Sequence, residues 1–116
     1  MPSLYEPSGL VREEFFAAGT PLVCSSAGGL GERVVAYSEG SRSGTGILFH
    51  SHTHGSLLAA LQHAIALYAC PLHYDTLSAN AHAAASEIAD TARHWLCEIE
   101  RLLACQQQPK DDVVQL

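Results

Sequence analysis

The sequence is poor in basic residues: Lys110 is its one lysine, and five arginines are scattered along 116 residues. Twelve acidic residues against six basic ones give a formal net charge of −6 at pH 7. A protein that tracks a nucleic-acid backbone needs a basic stripe that neutralises phosphates, and anionic membrane surfaces attract clustered lysine and arginine for the same reason. The composition therefore disfavours nucleic acids and membrane surfaces as partners.

The chain also lacks long apolar runs and paired-cysteine motifs. No apolar stretch reaches the roughly 18–20 residues of a membrane-spanning helix, and no charged segment followed by an apolar one marks a secretory signal. The cysteines are far apart, without a C-x-x-C pair: Cys24, Cys70, Cys97 and Cys105. We interpret them as buried or half-buried free thiols. We therefore expect a cytoplasmic setting, with a plastid as the alternative.

The whole sequence has the composition of a globular domain, with 47% apolar and 16% charged residues. Apolar spacing predicts a helix over about 9–18, with Ser8 as its N-cap and Gly19 as its stop. Short apolar runs predict two strands, at 20–24 and 47–49, with one more helical turn at 32–36. Further helices are expected at about 56–69, 72–83 and 87–105. This alternation predicts an α/β fold with two or three short parallel strands and C-terminal helices.

The spacing of apolar residues also predicts which helix faces are buried. On the first helix, Leu10, Phe15 and Ala18 share one face. Two later helices carry longer apolar stripes, namely Leu57, Leu58, Leu61, Ile65 and Tyr68, and then Ile88, Ala92, Trp95, Ile99 and Leu102. So few parallel strands leave unpaired edges. Either the chain pairs with another polypeptide, or further strands lie ahead of Met1.

The start of the first helix carries groups suited to a phosphorylated sugar. A helix N-terminus presents unpaired N–H groups and a partial positive charge, which favour phosphate. Gly9 leaves room for a phosphate at the backbone, and the amides of Leu10 and Val11 follow it. Glu6 and Glu14 carry carboxylates, which accept hydrogen bonds from sugar hydroxyls. The pattern suggests nucleotide-sugar chemistry, although the spacing alone does not specify it.

Two other groups of residues are alternatives for chemistry. His50, His52 and His54 alternate along one segment and could form a zinc set, but such a triplet is more often exposed to solvent. Cys97, three residues after His94, could be a nucleophile, but a buried thiol on an amphipathic helix is the more common case. We assign neither group a role, and we expect no metal site.

Several segments occur in the order found in a known family. They are E-P-S-G-L at 6–10, E-F-F-A-A-G-T-P-L-V at 14–23, G-G-L at 28–30, G-T-G-I-L-F at 44–49, the helix at 57–68, Y-D-T-L-S-A-N-A at 74–81, and the closing helix at 92–102. Together they resemble the C-terminal Rossmann-like domain of the glycogen and starch synthases, which are retaining glycosyltransferases of the GT-B architecture. The resemblance covers residues 1–105, which would be the C-terminal part of that nucleotide-sugar-binding domain, with 106–116 as a polar tail.

The resemblance implies a role for each candidate residue. Glu6, the catalytic candidate, would contact hydroxyls of the donor glucose. The backbone at Ser8, Gly9 and Leu10 would hold the distal phosphate of ADP- or UDP-glucose, and Glu14 would contact the ribose. Bacterial relatives often carry Cys at the position of Ser8 and an aromatic at that of Glu14, so the donor base stays open.

The resemblance also implies the partners. The donor would be a nucleotide sugar, no further cofactor is expected, and the acceptor would be an α-1,4-glucan bound by an N-terminal domain that this chain lacks. We therefore expect the chain to be inactive alone. The alternative hypothesis is a non-catalytic, stand-alone half-domain that acts as a binding or interaction module through its open sheet.

Overall fold

The computed structural model describes residues 1–106, and over that range it is an α/β structure, as the sequence predicts. Its elements are α1 (Leu10–Ala17), β1 (Leu22–Ser25), α2 (Gly28–Arg33), β2 (Gly46–Phe49), α3 (His54–Tyr68), α4 (Pro71–Ala83) and α5 (Ile88–Gln106). The chain divides into two compact units, one of residues 1–85 and a second that begins at Ser86. The polar tail expected at 106–116 lies, beyond Gln106, outside the described residues.

The first unit is organised around a two-stranded parallel sheet. β1 and β2 pair in a register that places Leu22 opposite Gly46 and Ser25 opposite Phe49. Both strands coincide closely with the predicted apolar runs. A continuous apolar run is expected because each face of a parallel strand is covered by helices.

Helices cover both faces of this sheet. Successive strand residues point to opposite faces, so the partners Cys24 and Leu48 contribute to one core cluster while Val23 and Ile47 contribute to the other. The first cluster contains Phe16, Leu22, Cys24, Leu30, Val34 and Ala81. The second contains Tyr37, Ile47, Phe49, Ala60, Leu67 and Leu77.

Helix α1 begins differently from the prediction and ends as predicted. Its N-cap is Gly9 with a left-handed φ of 67°, not Ser8. The side-chain oxygen that reaches the Gly9 amide belongs to Glu6. At the other end Gly19 has a φ of 68°. Its N–H donates to the Phe16 carbonyl at 2.9 Å, and Thr20 N–H donates to the Phe15 carbonyl at 2.8 Å, which is a Schellman motif.

The buried face of α1 is also not the predicted one. Phe16 is fully buried and Arg12 is 7% exposed, whereas Leu10 and Phe15 are 69% and 42% exposed. The Arg12 guanidinium lies 4.6 Å from the centroid of the Phe16 ring, donates to the Ala84 carbonyl at 3.0 Å and pairs with Glu13. These contacts pair Nη1 and Nη2 of the buried cation, while its Nε has no hydrogen-bond partner among residues 1–106. The buried face of α1 therefore includes an arginine, and Leu10, about 200° away around the helix, faces solvent.

Helix α2 lies at 28–33 rather than at 32–36. Its C-cap residue, Val34, is already extended, with φ −97° and ψ 124°. β-Branched side chains are restricted in a helix and favour extended backbone. The Val34-Val35 pair therefore ends the helical turn that the sequence had placed over it.

Helix α3 buries only part of its apolar surface. Ala60 and Leu67 are buried and Leu57 is partly buried, but the rest of the predicted stripe is exposed: Leu58, Leu61, Ile65 and Tyr68. The exposed side chains Leu61, Ile65 and Tyr68 line a groove of about 400 Å³ whose other wall includes Pro21 and Val23 of the β1 segment. The predicted spacing is correct, but most of this stripe faces the groove instead of the core.

The second unit contains α5, a 19-residue helix. Its apolar stripe is exposed within this structure and includes Trp95, Leu96, Ile99, Leu102 and Leu103. Cys97 and Cys105 are exposed as well, so the expectation of buried or half-buried thiols is wrong for both. On the polar side, Arg93 pairs with Asp90 and Arg101 with Glu98. Between residues 1 and 106 no single helix is long and apolar enough to cross a membrane. Taken together, α3 and α4 have the required length and composition, but the pair is bent by 107° at the break between them.

Candidate functional site

The candidate site lies at the carboxyl ends of the two strands. Parallel α/β sheets bind ligands in the crevice at this edge. Here the segment of residues 1–9 crosses the strand ends and connects to α1. Its position is set by hydrogen bonds to residues that are distant in the sequence.

The first anchor of this segment is Met1. Its amino group donates to the Val23 carbonyl at 2.6 Å, and its carbonyl accepts from Ser25 N–H at 3.1 Å. These two bonds have the pattern of a parallel bridge, so Met1 lies along the edge of β1 that β2 does not occupy. The segment therefore leaves the sheet next to the end of β1.

The second anchor is the carbonyl of Ser3. Ser25, the last residue of β1, donates its hydroxyl to this oxygen at 2.6 Å. His52, which follows β2, places its Nε2 at 3.0 Å from the same oxygen. One backbone carbonyl thus connects the ends of both strands.

Glu6 is held through its backbone and its side chain. Its carbonyl accepts from Gly29 N–H at 2.9 Å, and its Oε1 accepts from Gly9 N–H at 3.1 Å. The carboxylate therefore lies at the N-terminus of α1, where the helix dipole stabilises a negative charge. The sequence predicted this proximity, but not that Glu6 itself would occupy the Gly9 amide.

Two glycines of α2 allow the segment to approach. A Cβ on Gly28, whose φ is 48°, would overlap the Glu6 carbonyl oxygen. A Cβ on Gly29 would lie 3.0 Å from the backbone carbon of Ser8, tighter than ordinary contact. The Gly-Gly pair is thus required by close packing against the residues that carry the candidate site.

The amides of α1 that follow Gly9 are available. Arg12 N–H donates to the Gly9 carbonyl at 2.9 Å, whereas in the described part of the chain no hydrogen bond involves Leu10 N–H or Val11 N–H. Ser8 is half-buried beside them, and the Leu10 side chain is 69% exposed. The arrangement offers two free backbone donors next to a carboxylate.

Glu14 is not joined to this cluster. It is exposed on the second turn of α1, about 6 Å along the helix axis from Leu10 at 1.5 Å per residue. Its carboxylate forms no hydrogen bond or ion pair with any of residues 1–106. The structure therefore brings together Glu6, Ser8, Gly9 and Leu10, and places Glu14 one turn away.

The histidine triplet does not converge. His50 places Nδ1 2.9 Å from the Ser26 hydroxyl, while His52 contacts Ser3. No three His, Cys, Asp or Glu side chains among residues 1–106 are arranged to hold a metal ion.

Sequence reasoning missed the part that Ser25 and His52 play in placing this segment. The predicted strand at 20–24 ends one residue before Ser25, and the alternation of His50, His52 and His54 indicates only a solvent-exposed triplet or a zinc set. The available signal was a hydroxyl residue at the carboxyl end of a buried strand, where a side chain needs a hydrogen-bond partner once it is buried.

Similar proteins share one description. No protein-family model matches the chain. It is 43% identical over 75 residues to a protein described as glycogen synthase from Myxococcus xanthus. These 75 residues are 65% of this chain and 15% of that protein. It is 33% identical over 97 residues to one of the same description from Photobacterium profundum, covering 83% of this chain and 19% of that protein. A third, from Mycobacterium tuberculosis strain H37Rv, is 66% identical over 35 residues. The chain thus spans less than a fifth of the length of these relatives.

Proposed function

The chain belongs to a glycogen synthase-like family, and we propose that it forms part of the donor-binding site of a retaining glucosyltransferase. The donor would be ADP- or UDP-glucose, and the acceptor an α-1,4-glucan. The observation that carries the proposal is the position of the Glu6 carboxylate beside the free amides of Leu10 and Val11, at the carboxyl ends of parallel strands.

Each group at this site has a chemical task in the proposal. The backbone at Ser8, Gly9 and Leu10 holds the distal phosphate of the donor together with the Val11 amide, and the positive end of the α1 dipole lies behind these groups. As the bond to glucose breaks, negative charge develops on that phosphate, and fixed backbone donors stabilise it without reorganising. Glu6 accepts hydrogen bonds from glucose hydroxyls and orients the sugar. By resemblance, Glu14 contacts the ribose.

Glu6 must exchange partners for this to happen. In the described structure its Oε1 accepts from Gly9 N–H, and a bound phosphate would compete for the same donor because both are anions at one helix end. We propose that the phosphate takes this amide as the carboxylate turns to the sugar. The 116-residue chain would bind the donor and would not transfer glucose, since it spans less than a fifth of its relatives' length.

The test is donor binding to the chain by calorimetry, with UDP-glucose and ADP-glucose compared and Glu6→Gln as the variant. A carboxylate–hydroxyl hydrogen bond is stronger than a neutral one, so the variant should lose about 1 kcal/mol of sugar binding or more, roughly fivefold in affinity. Affinity for the free nucleoside diphosphate should not fall, because that ligand has no sugar for Glu6 to hold.

The matched control is Glu39→Gln, which removes an exposed carboxylate whose partner is His63 at 3.2 Å. It should leave both affinities unchanged. Equal losses for the two variants, or equal losses of sugar and diphosphate affinity for Glu6→Gln, would contradict the assignment of Glu6.

A second candidate function is an interaction module, and the exposed apolar groove favours it. Leu61, Ile65 and Tyr68 are 44%, 69% and 70% exposed on one helix face, and contiguous apolar patches of this kind mark interaction sites. Sedimentation over a concentration series separates the candidates. Self-association without donor binding would favour the module, whereas donor binding by a monomer would favour the glucosyltransferase.

We also propose a cytoplasmic setting. The support is that all four cysteines are free thiols, which is typical of reducing compartments.

A further inference from the structure

Ser25 carries a buried hydroxyl whose partner lies across the candidate site. The residue is 0% exposed at the end of β1, and its Oγ donates to the Ser3 carbonyl at 2.6 Å. A hydroxyl buried without a partner is destabilising. If residue 3 moved away, the Ser25 hydroxyl would lose its partner, so the hydrogen bond holds residue 3 in place. The bond spans 22 positions in the sequence and fixes the crossing segment to the sheet.

His52 completes the anchor from the other strand. Its Nε2 lies 3.0 Å from the same Ser3 oxygen, and a carbonyl oxygen has two lone pairs that can accept two donors. Unlike Ser25, His52 is exposed. The Ser3 carbonyl is therefore shared between a buried donor on β1 and an exposed donor after β2.

The anchored carbonyl lies three residues before Glu6. From Ser3 the chain runs to the Glu6 carbonyl, which is held by Gly29 N–H at 2.9 Å, and then to the carboxylate on Gly9 N–H. Pro7 follows Glu6 and restricts the backbone of Glu6 itself. Only Leu4 and Tyr5 separate residue 3 from Glu6, so displacement of residue 3 is transmitted to Glu6 over a short stretch of chain.

We propose that Ser25, assisted by His52, is a positioning residue for Glu6. By holding the Ser3 carbonyl it sets where the Glu6 carboxylate lies at the start of α1, and it contacts no ligand itself. This inference rests on the proposed function for its consequence in donor binding, but its structural step concerns the chain without ligand.

The structural step is tested by amide hydrogen exchange on Ser25→Ala and His52→Ala. Loss of the anchor should speed exchange of the Gly29 and Gly9 amides, which both donate to Glu6, by about fivefold relative to amides elsewhere in the first unit. Because His52 is exposed, His52→Ala keeps the core intact and provides the result if Ser25→Ala does not fold.

Ser78→Ala is the matched control. Ser78 Oγ also donates to a distant backbone carbonyl, that of Gly19, at 2.6 Å, but at the opposite end of α1 from Glu6. Ser78→Ala should lower the stability of the first unit without selectively speeding hydrogen exchange of the Gly29 and Gly9 amides. The proposal is overturned if all three variants change the exchange rates of these two amides alike. It is also overturned if neither Ser25→Ala nor His52→Ala changes them.

The functional step is a double-mutant cycle for UDP-glucose and ADP-glucose affinity. Ser25→Ala or His52→Ala should lower affinity severalfold when Glu6 is present and have little effect in the Glu6→Ala background, because a positioning residue acts through Glu6. Additive losses would overturn the role through Glu6. If the wild-type chain binds neither sugar nucleotide, the proposed function fails, while the exchange result still decides the structural step.

Discussion

Replacing Gly28 by alanine tests whether the Gly-Gly pair of α2 sets the position of Glu6. Gly28 has a φ of 48°, and a Cβ there would overlap the Glu6 carbonyl oxygen and lie 3.1 Å from its carbonyl carbon. Carbon atoms in contact normally lie about 3.5–4.0 Å apart, and the carbonyl oxygen is closer to this Cβ than the carbonyl carbon is. The Glu6 backbone must therefore retreat by more than roughly 0.5 Å. The left-handed backbone alone costs a non-glycine residue about 1–2 kcal/mol.

Gly28→Ala should therefore lower the free energy of unfolding by about 2 kcal/mol or more. It should also displace Glu6 from the Gly9 amide, weakening binding of the sugar nucleotide more than binding of the free nucleoside diphosphate. The measurements are urea unfolding followed by circular dichroism and calorimetric titration with the two ligands.

Gly40→Ala is the control, because nothing lies within 4 Å of its Cβ position. The expected change in stability is within about 0.5 kcal/mol, as for surface substitutions generally. The reasoning is refuted if Gly28→Ala and Gly40→Ala have equal stabilities and equal donor affinities, since the close approach of residue 28 to Glu6 would then impose no constraint.

Two further substitutions test the core. Phe16→Ala removes a fully buried ring and should lower the free energy of unfolding by about 3–5 kcal/mol, measured by chemical unfolding. The control Phe15→Ala removes a ring that is 42% exposed and should cost less than half as much. Equal losses of stability would contradict the observed buried face of α1. Burial raises the pKa of the Cys24 thiol above its ordinary value of 9.0, although the Met1 ammonium opposes the shift. Above pH 9.0 the unfolded chain then loses this proton while the folded chain keeps it, so the free energy of unfolding falls as pH rises. Cys24→Ala should reduce that slope in urea titrations between pH 8 and 10, and the exposed Cys97→Ala should not; an unchanged slope for Cys24→Ala would count against the burial effect.

The elements themselves were largely predictable from local pattern. The apolar runs around Val23 and Ile47 specify strands buried on both faces, and Gly19 terminates α1 because a left-handed residue is needed there. Which face of each helix packs against the core was less predictable. Periodicity shows that Leu61, Ile65 and Tyr68 share a face, but whether that face meets the core depends on where the sheet lies.

For the candidate site, the sequence placed Glu6, Ser8, Gly9 and Leu10 at one helix start, because the positions are adjacent in the chain. It could not show that Glu6 caps Gly9, since a carboxylate at that distance can point to solvent or turn back to the helix. The roles proposed for these residues in donor binding stay predictions.

The amino-acid sequence by itself determined the α/β class, the approximate strands and helices, and the family resemblance, because periodicity, turn residues and short motifs act over a few neighbouring positions. Only the tertiary structure decided which face of α1 is buried and how the segment before it is held. The hydrogen bonds from Ser25 and His52 to Ser3 span 22 and 49 positions. Such contacts depend on the folding of the sheet, which brings the ends of two strands to the same backbone carbonyl.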